Sequence, residues 1–299
     1  MATDNINKEI ELRELLSILF NKKKFIFIFT LFSAVISVSY SLLLPNIYTS
    51  SSLLAPKSED DSLSSQVGSF SGLAGLAGIN MTKNASKSQE AIERIQSYDF
   101  FLMYFIPNIE YQNLVAVEKW VPEKNILKYD STKFDIETKK WKIQKKPSYQ
   151  TGFKKYKKML SISEFVDTNF VSISIEHKSP IIAKEWVEII VLNINESMRE
   201  VDKQDAKNAI NFLNETSKST SIMSIKEIIS KLLENQMQTL MLASSKDDYI
   251  FRTIDSPYIP EEKSRPSRAL VCIIGTSLGF LIAILIVLCI NYMRPFKNE

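Results

Sequence analysis

Two uninterrupted apolar runs stand near the two ends of the chain and dominate its hydrophobic pattern. Residues 25–44 and 269–293 contain no charged side chain. Each run is as long as the roughly 20 helical residues that cross the hydrocarbon core of a bilayer. The pattern therefore predicts two transmembrane helices, one on each side of a polar middle that spans residues 45–268.

The first run is predicted to be a retained anchor rather than a cleaved signal peptide. Its apolar core is longer than the roughly 7 to 15 residues of a signal peptide, and residues 42–46 offer no small-residue cleavage site. Lysines 22–24 precede the run, and no cation follows it until Lys57. The positive-inside rule then places residues 1–24 in the cytoplasm. Two crossings return the tail, residues 294–299, to the same side and leave the middle outside the cytoplasm.

Both runs carry small residues at helical spacing. In lipid, small side chains let helix backbones approach closely, and packing and hydrogen bonds drive association. We therefore predict that the two stripes are helix-packing faces, with chance occurrence as the alternative, since Ser and Gly are common in membrane helices. The predicted packing residues are Ser33, Ser37 and Ser41 in the first run and Gly275, Gly279 and Ala283 in the second.

Three segments of the middle are predicted to be strands. In residues 171–176 apolar and polar side chains alternate with the period of a half-buried strand. Residues 48–54 and 249–254 are predicted to be strands as well. Because one follows the first crossing and the other precedes the second, we expect both in a single sheet near the membrane. The predicted base comprises residues 45–179 together with the returning segment 247–268.

A long helical segment interrupts this base. The Ser-Pro pair at 179–180 is a helix start signal, with an N-cap followed by proline at the first helical position. Apolar residues then recur at spacings of four and three as far as Leu213. A Ser/Thr cluster at 216–221 predicts a break before a second helical pattern in 222–243. The stalk, residues 180–246, is predicted to be a hairpin or one rod, and the fold class α+β.

Composition and charge exclude several classes of function. The middle holds 30 of the 37 Lys and Arg and 29 of the 34 Asp and Glu, and this near balance argues against nucleic acid as a partner. Cys272 and Cys289 lie in the second apolar run, and His177 is the only histidine, so a cysteine zinc site in the middle and paired-histidine chemistry are excluded. His177 is predicted to be a surface or turn residue. The sequence predicts no catalytic residue, cofactor or metal site, and hence no enzyme.

The densest positive charge lies between Lys139 and Lys158, where nine lysines occur without an acid. Ser148 is a candidate N-cap for an amphipathic helix in this stretch. Two interpretations stay open for its lysines: a site for an anionic glycan or lipid headgroup, or the solvated face of an ordinary amphipathic helix. The lysines concerned are Lys154, Lys155, Lys157 and Lys158.

A proline-rich segment connects the last predicted strand to the second apolar run. Pro257, Pro260 and Pro266 lie in it, and Arg268 stands at its end. Proline fixes φ near about −65° and removes a backbone donor. We predict a stiff connector that sets the angle between the membrane helices and the base. The alternative is that the prolines only end the strand and keep it separate from the helix.

Several short motifs occur in a fixed order between the two terminal crossings. They are Leu54-Ala55-Pro56, the Gly-Leu-Ala repeat of 72–78, Val171 through Pro180, Leu242-Ala243, Tyr249-Ile250-Phe251-Arg252, Asp255-x-Pro257-x-x-Pro260 and Arg265-Pro266-Ser267-Arg268. This order resembles the Wzz chain-length determinants, also called polysaccharide co-polymerases, over nearly the whole chain.

The resemblance implies a ring-shaped homo-oligomer in the bacterial inner membrane, with both termini cytoplasmic and most of the chain periplasmic. Such proteins set the modal length of a lipid-linked polysaccharide without catalysis, together with the Wzy polymerase. The short tail after the second run resembles the kinase-free, O-antigen type of lipopolysaccharide biosynthesis. Two alternatives stay open: control of another polysaccharide, enterobacterial common antigen or exopolysaccharide, and a two-helix membrane adaptor of an envelope export system.

Overall fold

A computed structural model describes residues 19–57, 83–142, 146–244 and 248–293. The predicted cytoplasmic tail and the glycine-rich motif at 72–78 lie outside the described residues. The chain forms two compact units. One contains the described residues up to Asn46 together with those from Lys263 onward, and the other spans Ile47–Glu262.

The described helices and strands follow one another in chain order. They are α1 (Lys23–Leu43), β1 (Tyr48–Pro56), α2 (Lys83–Ile95), α3 (Tyr98–Phe100), α4 (Tyr111–Val115), β2 (Val117–Val121), β3 (Ile126–Tyr129), β4 (Phe134–Asp135), β5 (Lys140–Trp141), α5 (Tyr149–Met159), β6 (Leu160–Phe165), β7 (Phe170–His177), α6 (Pro180–Ser219), α7 (Met223–Ala243), β8 (Phe251–Asp255) and α8 (Arg268–Met293). Between α3 and α4 the chain forms a π-helical turn, Phe101–Phe105, and a 3-10 turn, Ile106–Asn108.

The first unit consists of α1 and α8. Both helices are long and apolar enough to cross a membrane, over Lys23–Leu43 and Arg268–Asn291. Most of their large apolar side chains are exposed, as helices that face lipid require. The two helices run antiparallel, because Ser33 contacts Gly279 while Ser37, further along α1, contacts the earlier Gly275.

The second unit is built on a four-stranded antiparallel sheet with the order β6-β7-β1-β8. In β7 the buried Val171, Ile173 and Ile175 alternate with half-buried residues, which confirms the predicted half-buried strand. β1 lies between β7 and β8 and pairs Tyr48 with His177 at one end. The strand that follows α1 and the last strand of the chain are therefore neighbours, as the sequence predicted.

The core lies between this sheet, the first half of α6 and the short helical segments from α2 to α5. Ser179 caps α6 by accepting a hydrogen bond from the backbone N–H of Ile182, and Pro180 occupies the first helical position. The buried residues of α6 recur at spacings of three and four, which puts them on the one face that packs against the sheet. They include Ala183, Val187, Ile190, Ile194 and Met198.

The long helical segment is a hairpin rather than a rod. Helix α6 ends at Ser219, Thr220 is extended, and α7 begins at Met223 and packs back on α6. The Ser/Thr cluster thus breaks the helix where the sequence predicted, because these side chains compete with the backbone for hydrogen bonds. With two apolar helices near the ends and a long helix beside a sheet, the predicted α+β class is confirmed.

Candidate functional site

The small-residue stripes of α1 and α8 face each other. The hydroxyl of Ser33 donates to the carbonyl oxygen of Gly275 at 3.0 Å, and that of Ser37 donates to Val271 at 3.0 Å. A Cβ added at Gly275 would lie 2.7 Å from the Cβ of Ser37, and one at Gly279 would collide with Ser33. Because Gly275 and Gly279 have no side chains, α8 approaches α1 closely enough for the serine hydroxyls to reach its backbone.

The outer members of the two stripes are also buried. Ser41 is 1% exposed, and its hydroxyl has no hydrogen-bond partner among the described residues. Ala283 is fully buried and packs in an apolar cluster with Ile26 and Val287. All six predicted packing residues thus lie along the α1–α8 pair, with Ser41 contributing burial rather than a hydrogen bond.

Arg268 connects the beginning of α8 to the end of the first helix within the same unit. Its guanidinium Nη2 donates to the side-chain oxygen of Asn46 at 3.2 Å. Pro266 stands two residues before it, after a cis peptide bond with Arg265. Of the other connector prolines, Pro257 and Pro260 are both buried in the second unit.

Two serines of β1 hold the chain that leads to the prolines. Ser50 donates to the carbonyl oxygen of Tyr258 at 2.7 Å, and Ser52 donates to that of Asp255 at 2.8 Å. Both serines are at most 1% exposed, and their inward position is stabilised by these hydrogen bonds. Sequence reasoning missed them, because three consecutive serines at 50–52 give no local signal of which are buried.

The four lysines of α5 fall into two groups. Lys154, Lys157 and Lys158 are exposed, and the Lys157 ammonium lies 5.9 Å from the ring centre of Phe153. Lys155 is half-buried, and its Nζ donates to the carbonyl oxygen of Val115 at 2.8 Å. Burial, with Lys133 and Lys178 nearby, lowers the pKa of Lys155. Neither Lys133 nor Lys178 carried a local sequence signal for this association.

His177 is buried rather than at the surface, which corrects the sequence expectation. Its Nδ1 accepts the backbone N–H of Ser179 at 3.0 Å, so the ring proton is on Nε2, which lies 3.1 Å from the carbonyl oxygen of Asn113. The ring packs 4.9 Å from Trp186. Burial lowers the pKa of His177 to about 4. The His177 side chain is therefore neutral and links these backbone groups structurally. Within the described ranges no group of three or more His, Cys, Asp or Glu could hold a metal.

Residues 8–106 match the family model Wzz, described as chain length determinant protein. A comparison with curated proteins gave no match. A solved "full-length bacterial polysaccharide co-polymerase" is 14% identical with a TM-score of 0.44, and the alignment covers 97% of this chain and all of that one (100%).

A second solved structure is a fragment of WzzB, a polysaccharide co-polymerase from Salmonella Typhimurium. It is 15% identical with a TM-score of 0.33, and the alignment covers 74% of this chain and 100% of the fragment. The family model covers the first apolar helix, β1 and the chain through the π-helical turn. Over these residues the chain is similar to the chain length determinant family, which the order of its sequence motifs also resembles.

Proposed function

We propose that the protein regulates the modal chain length of the O-antigen of lipopolysaccharide. The observation that carries the proposal is the match of residues 8–106 to the chain length determinant family. In this role the protein makes no covalent bond itself and acts on the Wzy polymerase, which extends the lipid-linked polysaccharide.

The proposed location is the bacterial inner membrane, with both termini cytoplasmic and the unit Ile47–Glu262 periplasmic. The lysines at the start of the first helix support this orientation, because positive charge is retained on the cytoplasmic side. The α1–α8 pair would anchor the chain through the serine and glycine contacts described above. The proline segment would couple this anchor to the sheet.

We propose that a second copy of the chain covers the exposed apolar surface of the α6–α7 hairpin, within a ring-shaped homo-oligomer. Met223 is 79% exposed and Met241 is 72% exposed. Apolar patches of this kind mark interaction sites in soluble regions of proteins. The exposed large apolar residues of the hairpin are Ile181, Leu192, Phe212, Ile222, Met223, Ile225, Ile228, Leu232, Met237, Met241 and Leu242.

The exposed lysines of α5 are proposed to contact the polysaccharide or an anionic headgroup. Lys154, Lys157 and Lys158 have their ammonium groups in solvent, where they remain available to an anion. Lys155 differs from these three, because it is half-buried and one of its N–H donors is bonded to the carbonyl oxygen of Val115.

Deletion of the gene in its host, followed by electrophoresis of extracted lipopolysaccharide, tests the proposed function. We expect the preferred ladder length to disappear and to return when the gene is supplied on a plasmid, whereas the empty plasmid restores nothing. An unchanged ladder would refute O-antigen control. Analysis of enterobacterial common antigen and exopolysaccharide from the same cells would then identify another substrate, and normal lengths there would leave the adaptor role.

The connector is tested in the same strain. A plasmid carrying Pro266→Ala together with Gly279→Ala should shift the ladder while the protein level stays normal. These changes loosen the connector and force the helix pair apart at Ser33. A ladder identical to that of the unaltered gene would argue against a coupling role for the connector.

A further inference from the structure

Lysines from two separate elements donate to nearly adjacent backbone carbonyls. Lys155 of α5 donates to the carbonyl oxygen of Val115 at 2.8 Å. Lys178, which follows β7, donates to that of Val117 at 2.9 Å. Because the two acceptors are two residues apart, the two ammonium groups occupy one neighbourhood on the protein.

A third lysine joins them through Asp130. The backbone N–H of Asp130 donates to the carbonyl oxygen of Ala116 at 2.8 Å, between the two acceptors just described. The Asp130 carboxylate accepts a hydrogen bond from Lys133 Nζ at 2.6 Å. We call Lys133, Lys155 and Lys178, gathered around Asp130, the basic cluster.

Positive charge exceeds negative charge in the basic cluster. Two acids act on its lysines: Asp130 acts on all three, and Glu118 acts on Lys178. Burial and the neighbouring lysines lower the pKa values of Lys155 and Lys178. Mutual repulsion among partly desolvated cations is unfavourable, and an added anion would relieve it.

The ammonium groups retain donors for such an anion. A lysine ammonium has three N–H donors. In the described part of the chain each lysine of the basic cluster makes one hydrogen bond: to Val115, to Val117 or to Asp130. Two donors on each lysine therefore stay available, and they come from three elements that fix the positions of the side chains.

The adjacent hairpin adds unbalanced charge. Lys119 of β2 and Lys128 of β3 lie directly opposite each other in the register of the hairpin. Like charges in opposed positions destabilise a strand pair. Residues 117–129 of this hairpin carry Lys119, Lys124 and Lys128 against Glu118 and Glu123, an excess of one positive charge.

We propose that the basic cluster is a binding site for an oxyanion, either the carboxylate of an acidic sugar or a phosphate of the lipid carrier. The assignment of these two sources rests on the proposed function, whereas the oxyanion chemistry rests on the cluster alone. Lysine ammoniums bind carboxylate and phosphate oxygens as point charges through short charge-assisted hydrogen bonds. Asp130 accepts a hydrogen bond from Lys133 and would compete with the ligand for that lysine.

Isothermal titration of the full-length protein in phosphatidylcholine nanodiscs tests the proposal. The probes are trigalacturonate, inorganic pyrophosphate and the neutral maltotriose. We expect one or both anions to bind and maltotriose not to bind, with an affinity that falls as salt rises. Tighter binding of trigalacturonate assigns the sugar chain as the source, and tighter binding of pyrophosphate assigns the carrier. Equal heats for all three probes would overturn the proposal.

Variants that remove a positive or a negative charge distinguish a binding role of the basic cluster from a structural one. Lys133→Gln and Lys178→Gln should each weaken anion binding about tenfold, since each removes a charge-assisted hydrogen bond. Asp130→Asn should tighten binding, because it removes the competing carboxylate. Lys207→Gln, at an exposed site on α6, is the charge-matched control and should bind normally. Thermal melting by circular dichroism verifies that each variant is folded.

Two results would contradict the basic cluster as a site: weaker binding after Asp130→Asn, or an equal loss after Lys207→Gln. The titration needs no polymerase, so its outcome is independent of the ladder experiment. If the preferred ladder length is lost in the deleted cells but the purified protein binds no anion, chain length control is supported and the anion site is refuted. Anion binding together with an unchanged ladder would support the site and refute O-antigen control.

Discussion

The side chain of Asn195 on α6 hydrogen-bonds both backbone groups of Phe251 at the start of β8. Its Oδ1 accepts the N–H of Phe251 at 2.9 Å, and its Nδ2 donates to the carbonyl oxygen of Phe251 at 3.1 Å. The same Oδ1 accepts the N–H of Ile250 at 2.8 Å. The Asn195 side chain thus makes the hydrogen bonds to Phe251 that a neighbouring strand would otherwise make. It fixes the point at which the chain returns from the α6–α7 hairpin to the sheet.

Asn195→Ala should therefore destabilise the sheet unit strongly. The change leaves buried backbone donors and an acceptor unpaired, at a cost of about 3 kcal/mol. Thermal unfolding in detergent, followed by circular dichroism, measures the loss. Asn193→Ala is the matched control, since Asn193 only bonds to Ile189 of its own helix and should change stability by less than about 0.5 kcal/mol. Equal effects of the two variants would contradict the role of Asn195.

Gly152 in α5 is predicted to accept no side chain. A Cβ there would lie 2.8 Å from the ring and hydroxyl of Tyr111 and 3.2 Å from Phe101. Tyr111 cannot move freely, because its hydroxyl donates to the carbonyl oxygen of Ser148 at 2.7 Å. Gly152→Ala should cost about 2 kcal/mol through overpacking, although alanine favours helix. Gln150→Ala, at an exposed position of the same helix, should be nearly neutral in the same melting experiment.

Gly279→Leu should separate the two membrane helices. A leucine side chain would collide with Ser33 and remove the close approach that supports the serine hydrogen bonds. With Cys272→Ala and Cys289→Ala as background, oxidation of Ile26→Cys with Val287→Cys reports the contact, because these two residues pack in one apolar cluster between the helices. We expect cross-linking in native membranes to fall by at least about half. Leu278→Phe, at a position 57% exposed, should leave cross-linking unchanged. Undiminished cross-linking in Gly279→Leu would rule out the packing role.

The buried His177 should make the protein less stable in mild acid. Its pKa is about 4 in the folded chain and about 6.5 when unfolded, so the unfolded state binds the proton more readily. The contribution of the neutral His177 to the free energy of unfolding is fully present above pH about 6.5 and is lost as the pH is lowered toward 4. Between pH 7 and pH 5 the loss from this group is about 2 kcal/mol.

Comparison with His177→Gln isolates this contribution, because the chain has no other histidine. The variant should start less stable at pH 7 and lose less stability on acidification, so the two proteins converge toward pH 5. Asp130 does not interfere with this comparison. The ion pair with Lys133 and the hydrogen bonds from Thr132 lower its pKa to about 2, so the stability that its ionised form contributes is lost only below the ordinary carboxyl range. Parallel curves for the two proteins would show that His177 does not cause the acid sensitivity.

The exposed face of α7 should control assembly. Ile228→Asp places a charge where we propose that a second copy packs, and burying that charge is unfavourable. Mass photometry of nanodisc-embedded protein should show smaller particles for this variant. Gln150→Asp adds the same charge at an exposed position of α5, outside the α6–α7 hairpin, and should retain the assembly. Particles of unchanged mass in Ile228→Asp would argue against α7 as the interface.

Local patterns in the sequence determined the helices and strands that carry the fold. The period-two alternation of β7, the Ser179-Pro180 start of α6 and the Ser/Thr break at 216–221 each depend on residues within a few positions of one another. The two apolar runs likewise predict membrane helices by length and composition alone. These features need no knowledge of distant parts of the chain, because caps, turns and amphipathic faces act over one or two helical turns.

Tertiary structure alone decided which polar residues are buried and what they bind. His177 reaches Asn113, Ser52 reaches Asp255, and Asn195 reaches Phe251, each across dozens of residues. The basic cluster likewise combines lysines from a turn, a helix and the end of a strand. No local pattern marks such partners, because the free energy of a buried polar group depends on whichever donor or acceptor the packed chain places within about 3 Å of it.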